Sequence, residues 1–138
     1  MSNILILCTG NSCRSQMAEG WLNYFTNDEV KVFSAGTRPE SINKFAIRVM
    51  SAVGIDISKY ISNHADEYTQ LNFDYVFTVC DKAKEICPIY PQAKQMIHHS
   101  FTDPADAKGS YQEQLKVYIK VRNQLRDYFK TFAENELS

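Results

Sequence analysis

The sequence predicts an α/β fold: a four-stranded parallel sheet flanked by helices in three layers. Three observations carry this expectation. Four short apolar runs have the length of buried strands and are bounded by turn residues. Segments with apolar residues at helical spacing stand between and after them. Strands that alternate with helices pair in parallel and are covered on both faces, with ligands bound beyond their carboxyl ends.

Taken in order, Asn3 to Leu7 is a compact apolar run and reads as the first strand. Gly10 and Asn11 break the pattern, and Met17, Ala18, Trp21, Leu22 and Phe25 then mark an amphipathic helix from about Arg14 to Thr26. Val30 to Ala35 is a second strand, closed by Gly36. Ala46, Val49, Met50 and Val53 mark a second helix that Gly54 ends. Tyr75 to Val79 is a third strand, followed by a short helix from Asp81 to about Cys87 that stops before Pro88. Lys94 to Ile97 is the fourth strand. The last helix runs from about Ser110 to Phe132, with Leu115, Tyr118, Ile119, Leu125, Phe129 and Phe132 on one stripe. Cys8, Cys80 and the loop at Asp103 all follow a strand, which places them at one end of the sheet.

The 138 residues suit one domain, 1–138, with one core, and the apolar share of 44% is ordinary for a folded protein. Fifteen Lys and Arg against 16 Asp and Glu leave a net charge of −1, which argues against nucleic acid as a partner. Ile4 to Leu7 is too short for a signal peptide or a membrane span, so a cytoplasmic protein is expected. In a reducing cytosol the four cysteines, Cys8, Cys13, Cys80 and Cys87, read as reactive or buried thiols rather than structural disulfides.

The loop Cys8-Thr9-Gly10-Asn11-Ser12-Cys13-Arg14-Ser15 sets a thiol at a strand end and a guanidinium six residues on, at a helix start. Backbone N–H groups of such a loop converge on one anion, helped by the positive end of the helix dipole. Gly10 and Asn11 tolerate the left-handed backbone angles that a nest requires. Arg14 offers a planar fork for two oxygens of the anion, and Ser15 offers a hydroxyl to the Cys8 sulfur. A positive field of this kind favours thiolate over thiol. Cys8 is therefore the expected nucleophile, in a cradle for a tetrahedral oxyanion formed by Thr9, Gly10, Asn11, Ser12, Cys13, Arg14 and Ser15.

This loop resembles the signature of the low-molecular-weight protein tyrosine phosphatase superfamily. Ser34-Ala35-Gly36-Thr37 and Asp103-Pro104 also fall where that family has them, so the resemblance spans nearly the whole chain. It implies the same four-stranded parallel sheet. One branch, the thioredoxin-coupled arsenate reductases, uses the cradle for arsenate.

Cys80 and Cys87 bear on that branch. Read alone, they fit core thiols as well as a redox pair. Their spacing is too wide for a zinc knuckle. Thr78-Val79-Cys80 with Cys87-Pro88 downstream resembles the redox pair of the thioredoxin-coupled reductases, which implies a relay from Cys8 through Cys80 to Cys87. In a helix, seven residues rise about 10 Å, whereas a disulfide needs Cα atoms within about 7 Å, so oxidation would unwind the segment. Asp103-Pro104 reads as a turn on its own, and the resemblance implies that Asp103 is the general acid. Ala105, Asp106 and Ala107 stand where substrate-binding tyrosines often follow in the phosphatases, with Tyr111 displaced, which argues against phosphotyrosine.

The reading is thus an arsenate reductase that binds arsenate or a phosphate-like oxyanion, is reduced by thioredoxin, acts as a monomer, and uses no nucleic acid, membrane or metal. A phosphatase acting on small monoesters, and a non-enzymatic oxyanion or redox sensor, are the alternatives. No essential role is assigned to Cys13, and His98 and His99 read as surface or packing residues. No cofactor is expected. Some reductases of this branch bind potassium beside the cradle, and Asn11, Glu19 and Ser34 match that site. Ile61 and Asn63 stand where a hydroxyl and a carboxylate are expected, which speaks against potassium unless backbone carbonyls compensate.

Overall fold

The computed structural model describes residues 2–80 and 93–137. Four strands, β1 (Ser2–Cys8), β2 (Val30–Gly36), β3 (Phe73–Thr78) and β4 (Ala93–His98), form one parallel sheet in the order β2-β1-β3-β4. The central β1 is flanked on both edges, so its four residues Ile4 to Leu7 are fully buried. Their side chains alternate between faces. Ile4 and Ile6 pack into the larger core with the helices, while Leu5 and Leu7 join Ala35, Phe73 and Val76 on the other face.

Helix α1 (Arg14–Phe25) buries Met17, Ala18, Trp21 and Leu22, the stripe its spacing predicts. Helix α2 (Lys44–Ser51) starts where the Asn43 side chain accepts from the N–H groups of Phe45 and Ala46, at 2.9 and 3.1 Å. It stops before Val53, which the periodicity had placed inside it and which is exposed. The reason is a tight turn: Val53 and Gly54 bond back three residues, Gly54 takes φ 83°, and Ile55 folds into the core. Helix α3 (Tyr111–Glu136) opens with a capping box between Ser110 and Glu113 and runs a turn beyond Phe132, where Ala133 is also buried. Two short 3₁₀ turns, Ala65–Tyr68 and Pro104–Asp106, had no signal in the periodicity. The helix expected from Asp81 to Cys87, with Pro88, lies outside the described residues.

Register brings the site together. Cys8 is opposite Gly36, Leu7 opposite Thr78, and Thr78 opposite His98, so the ends of all four strands meet at one edge of the sheet. No helix among the described residues is long and apolar enough to cross a membrane.

Candidate active site

The loop after β1 is shaped from outside by its carbonyls. The Thr9 carbonyl accepts from Arg38 N–H at 2.9 Å, Gly10 from Glu40 N–H at 2.9 Å, and Ser12 from Asn43 N–H at 2.8 Å. The Asn11 carbonyl accepts from the Gln16 side-chain amide at 2.9 Å and from the Ser62 hydroxyl at 2.7 Å. With these oxygens drawn outward, the same peptide planes turn their N–H edges toward the cavity. The loop therefore presents donors to an anion, and α1 adds the positive end of its dipole behind them.

Asn11 takes the left-handed conformation, with φ 48°, and is fully buried. Gly10 does not, contrary to the reading of the sequence; among described glycines only Gly54 and Gly109 have positive φ. A Cβ there would make only ordinary contacts, 3.4 Å from Ser12 Oγ and 3.6 Å from the Glu40 carboxyl group.

A polarised chain of hydrogen bonds leads to Cys8. Asn63 N–H donates to Asn11 Oδ1 at 2.8 Å, which aims Asn11 Nδ2 at Ser15 Oγ, also at 2.8 Å. Ser15 Oγ, already accepting from Asn11, has its own proton free for Cys8 Sγ, 2.9 Å away. A hydroxyl so oriented donates to the Cys8 sulfur.

Arg14 is 3% exposed and is held from the loop after β4. One nitrogen donates to the Phe101 carbonyl at 3.1 Å, and another lies 3.5 Å from Asp103 Oδ2. The Asp103 side chain caps the turn Pro104–Asp106 by accepting from Ala105 N–H at 3.0 Å, which leaves its second oxygen toward Arg14 and the cavity. Cys8, Arg14 and Asp103 thus converge on one cavity of about 280 Å³. A larger cleft of about 490 Å³, between the end of α1 and the end of α3, has no cysteine, histidine or arginine among its described lining residues.

Thr9, Gly10, Ser12 and Cys13 line the cavity with Cys8 and Arg14, whereas Asn11 and Ser15 stand behind it as supports. Cys13 is buried, and burial first, then Asp103 and Cys8, pushes its thiol well above the usual range, so it stays protonated. Cys80 is fully buried two residues beyond β3, with Sγ 3.9 Å from the carbonyl of Leu7, the residue before Cys8. Cys8 and Cys13 are free thiols. Cys87 lies outside the described residues. His98 bonds Thr78 and Ser100, and His99 packs on Phe101 and Tyr128. Among the described residues no cluster of His, Cys, Asp and Glu is arranged to hold a metal.

Arg38, Glu40 and Gly36 are among the contributors that escaped the reading of the sequence. Arg38 and Glu40 line the cavity mouth, and only their position after Ser34 to Thr37 hinted at it. Gly36 was read as the end of a strand, yet a Cβ there would lie 2.5 Å from the Thr9 carbonyl and 2.9 Å from the Asn11 nitrogen. Both atoms are backbone and cannot swing away. Gly36→Ala is therefore expected to displace the cradle and lower kcat/KM about a hundredfold, with a loss of about 1–3 kcal/mol in denaturant melts.

Residues 3–137 match the family model for low molecular weight phosphotyrosine protein phosphatase, and the chain belongs to that family. Within it, the chain groups with the arsenate reductases. It is 44% identical over 131 residues to an arsenate reductase of Halalkalibacterium halodurans, covering 95% of this chain and 94% of that one. A solved arsenate reductase in the phosphate binding state superposes with a TM-score of 0.81 at 27% identity over 96% of both chains. The thioredoxin-dependent arsenate reductase of Corynebacterium glutamicum gives a TM-score of 0.67 at 25% identity, covering 99% of this chain and 64% of that one.

Proposed function

We propose that the chain reduces arsenate to arsenite in the cytoplasm through Cys8, Cys80 and Cys87, and that thioredoxin restores the thiols. The observation that carries this is the placement of a second thiol, Cys80, against the backbone just before Cys8. Hydrolysis of a phosphate ester would need only one. Cys8 attacks arsenic to form a sulfur–arsenic bond, and Asp103 protonates the oxygen that leaves as water. The N–H groups of the cradle and Arg14 balance the charge that builds on the remaining oxygens. Cys80 thiolate then attacks Cys8 sulfur. The electron pair of the sulfur–arsenic bond passes to arsenic, arsenite leaves, and a Cys8–Cys80 disulfide remains. Cys87 attacks Cys80, frees Cys8 and moves the disulfide to Cys80–Cys87, whose two electrons thioredoxin supplies.

The cavity supports a small inorganic substrate. Its rim carries Arg38, Glu40, Asp103, Ala105 and Asp106, with no aromatic side chain among its described lining residues. An aryl phosphate would find nothing to stack on among them. The expected result is arsenate-dependent oxidation of NADPH in the presence of thioredoxin and thioredoxin reductase. Absence of that turnover, with sustained hydrolysis of an aryl phosphate, would move the assignment to a phosphatase.

A further inference from the structure

Behind the cradle, Asn11, Glu19 and Ser34 gather oxygen atoms where some reductases of the branch hold potassium. The residues present do not fit that cation. The Ile61 side chain is apolar and 73% exposed, so only its carbonyl remains to compensate. That carbonyl already accepts two amide donors, Asn63 Nδ2 at 2.9 Å and Gln16 Nε2 at 3.2 Å, which uses both its lone pairs. The Ser34 carbonyl also faces Asn63 Nδ2, at 3.4 Å, and Glu19 Oε1 accepts from Ser34 Oγ at 2.6 Å. Among the described residues Gln16 Oε1 is the buried side-chain acceptor without a partner, and a neutral amide oxygen brings no charge to a cation.

We propose that the side chain of Asn63 takes the place of the cation, and that this chain holds its cradle in shape without potassium. An amide N–H₂ offers two donors to two converging carbonyls, which is the role a cation plays among oxygens. Reversing the amide would set Asn63 Oδ1 against both carbonyls, so the network fixes its orientation. The same residue's backbone N–H holds Asn11 Oδ1, the first link of the chain through Ser15 to Cys8. Asn63 touches no substrate; it is a positioning residue for Asn11.

The test compares wild type, Asn63→Asp and Asn63→Ala in potassium chloride and in choline chloride at equal ionic strength, by thermal melting and by arsenate turnover. Wild type is expected to show the same Tm and kcat/KM in both salts. Asn63→Asp removes the two donors and sets a negative charge against the carbonyls of Ile61 and Ser34. It should melt several degrees lower in choline and recover in potassium, with kcat/KM recovering in parallel. Asn63→Ala should be impaired in both salts and recover in neither. A wild-type Tm that rises in potassium would overturn the proposal, as would an Asn63→Asp protein indifferent to the cation. The melting arm stands whether or not arsenate is the substrate.

Discussion

Cys80→Ser is expected to release no arsenite, whereas Cys87→Ser is expected to release one equivalent per chain and then stop. The difference follows from which bond each thiol breaks. Without Cys80, nothing attacks the sulfur of the Cys8–arsenic adduct, arsenic is never reduced, and the adduct returns to arsenate by hydrolysis. Without Cys87, Cys80 still completes the two-electron step, but the disulfide with Cys8 has no internal exit. Mass spectrometry of this protein should find it two hydrogens lighter, with Cys8 blocked to alkylation. Both variants should keep any aryl-phosphate hydrolysis, because the cradle, Arg14 and Asp103 are untouched. The burial of Cys80 gives the pair a further consequence. Its side chain is fully enclosed beside Leu7, so alkylating reagents should reach Cys8, which lines the cavity, before Cys80. Equal arsenite yields from the two variants would remove the ordered relay.

Part of this was legible in the sequence, and the division has physical causes. The run Ile4 to Leu7 had to be central because it is apolar at every position, and a strand buried on both faces reads that way. The helical stripe of Met17, Ala18, Trp21 and Leu22 fixed where α1 begins, and with it the length of the loop between Cys8 and Arg14. Asn11 announced its left-handed turn through residue type. What could not be read was the outer wall of the cradle. Arg38, Glu40 and Asn43 shape it through their backbone N–H groups, which every residue except proline carries, so side-chain identity gives no signal. Ser62 and Asn63 reach Asn11 from about fifty positions away along a segment without periodicity. Val53 was misplaced for a local reason. Its apolar character continued the helical spacing, but the left-handed Gly54 and the inward turn of Ile55 ended α2 earlier.

Arg14→Lys is expected to lower kcat/KM for arsenate about 10²–10³-fold while leaving the fold intact, although the charge is retained. Arg14 is nearly inaccessible and does several things at once: it donates to the Phe101 carbonyl, faces Asp103 at 3.5 Å and lines the anion cavity. A planar guanidinium with five N–H groups serves these directions together, whereas an ammonium on a flexible stem is one point charge with three donors. Lysine would keep the attraction to Asp103 and give up the two-oxygen grip on the anion. Because that grip tightens as charge moves onto the oxygens during attack by Cys8, the loss should fall mainly on kcat rather than on KM. The paired charge is not left alone, so the melting temperature should drop by only a few degrees. Arg14→Ala is the contrasting case: it strands Asp103 beside a buried gap and should lose both activity and stability. A lysine variant within about tenfold of wild type would mean that the loop N–H groups alone hold the anion, and Arg14 would then be a brace between α1 and the Asp103 loop.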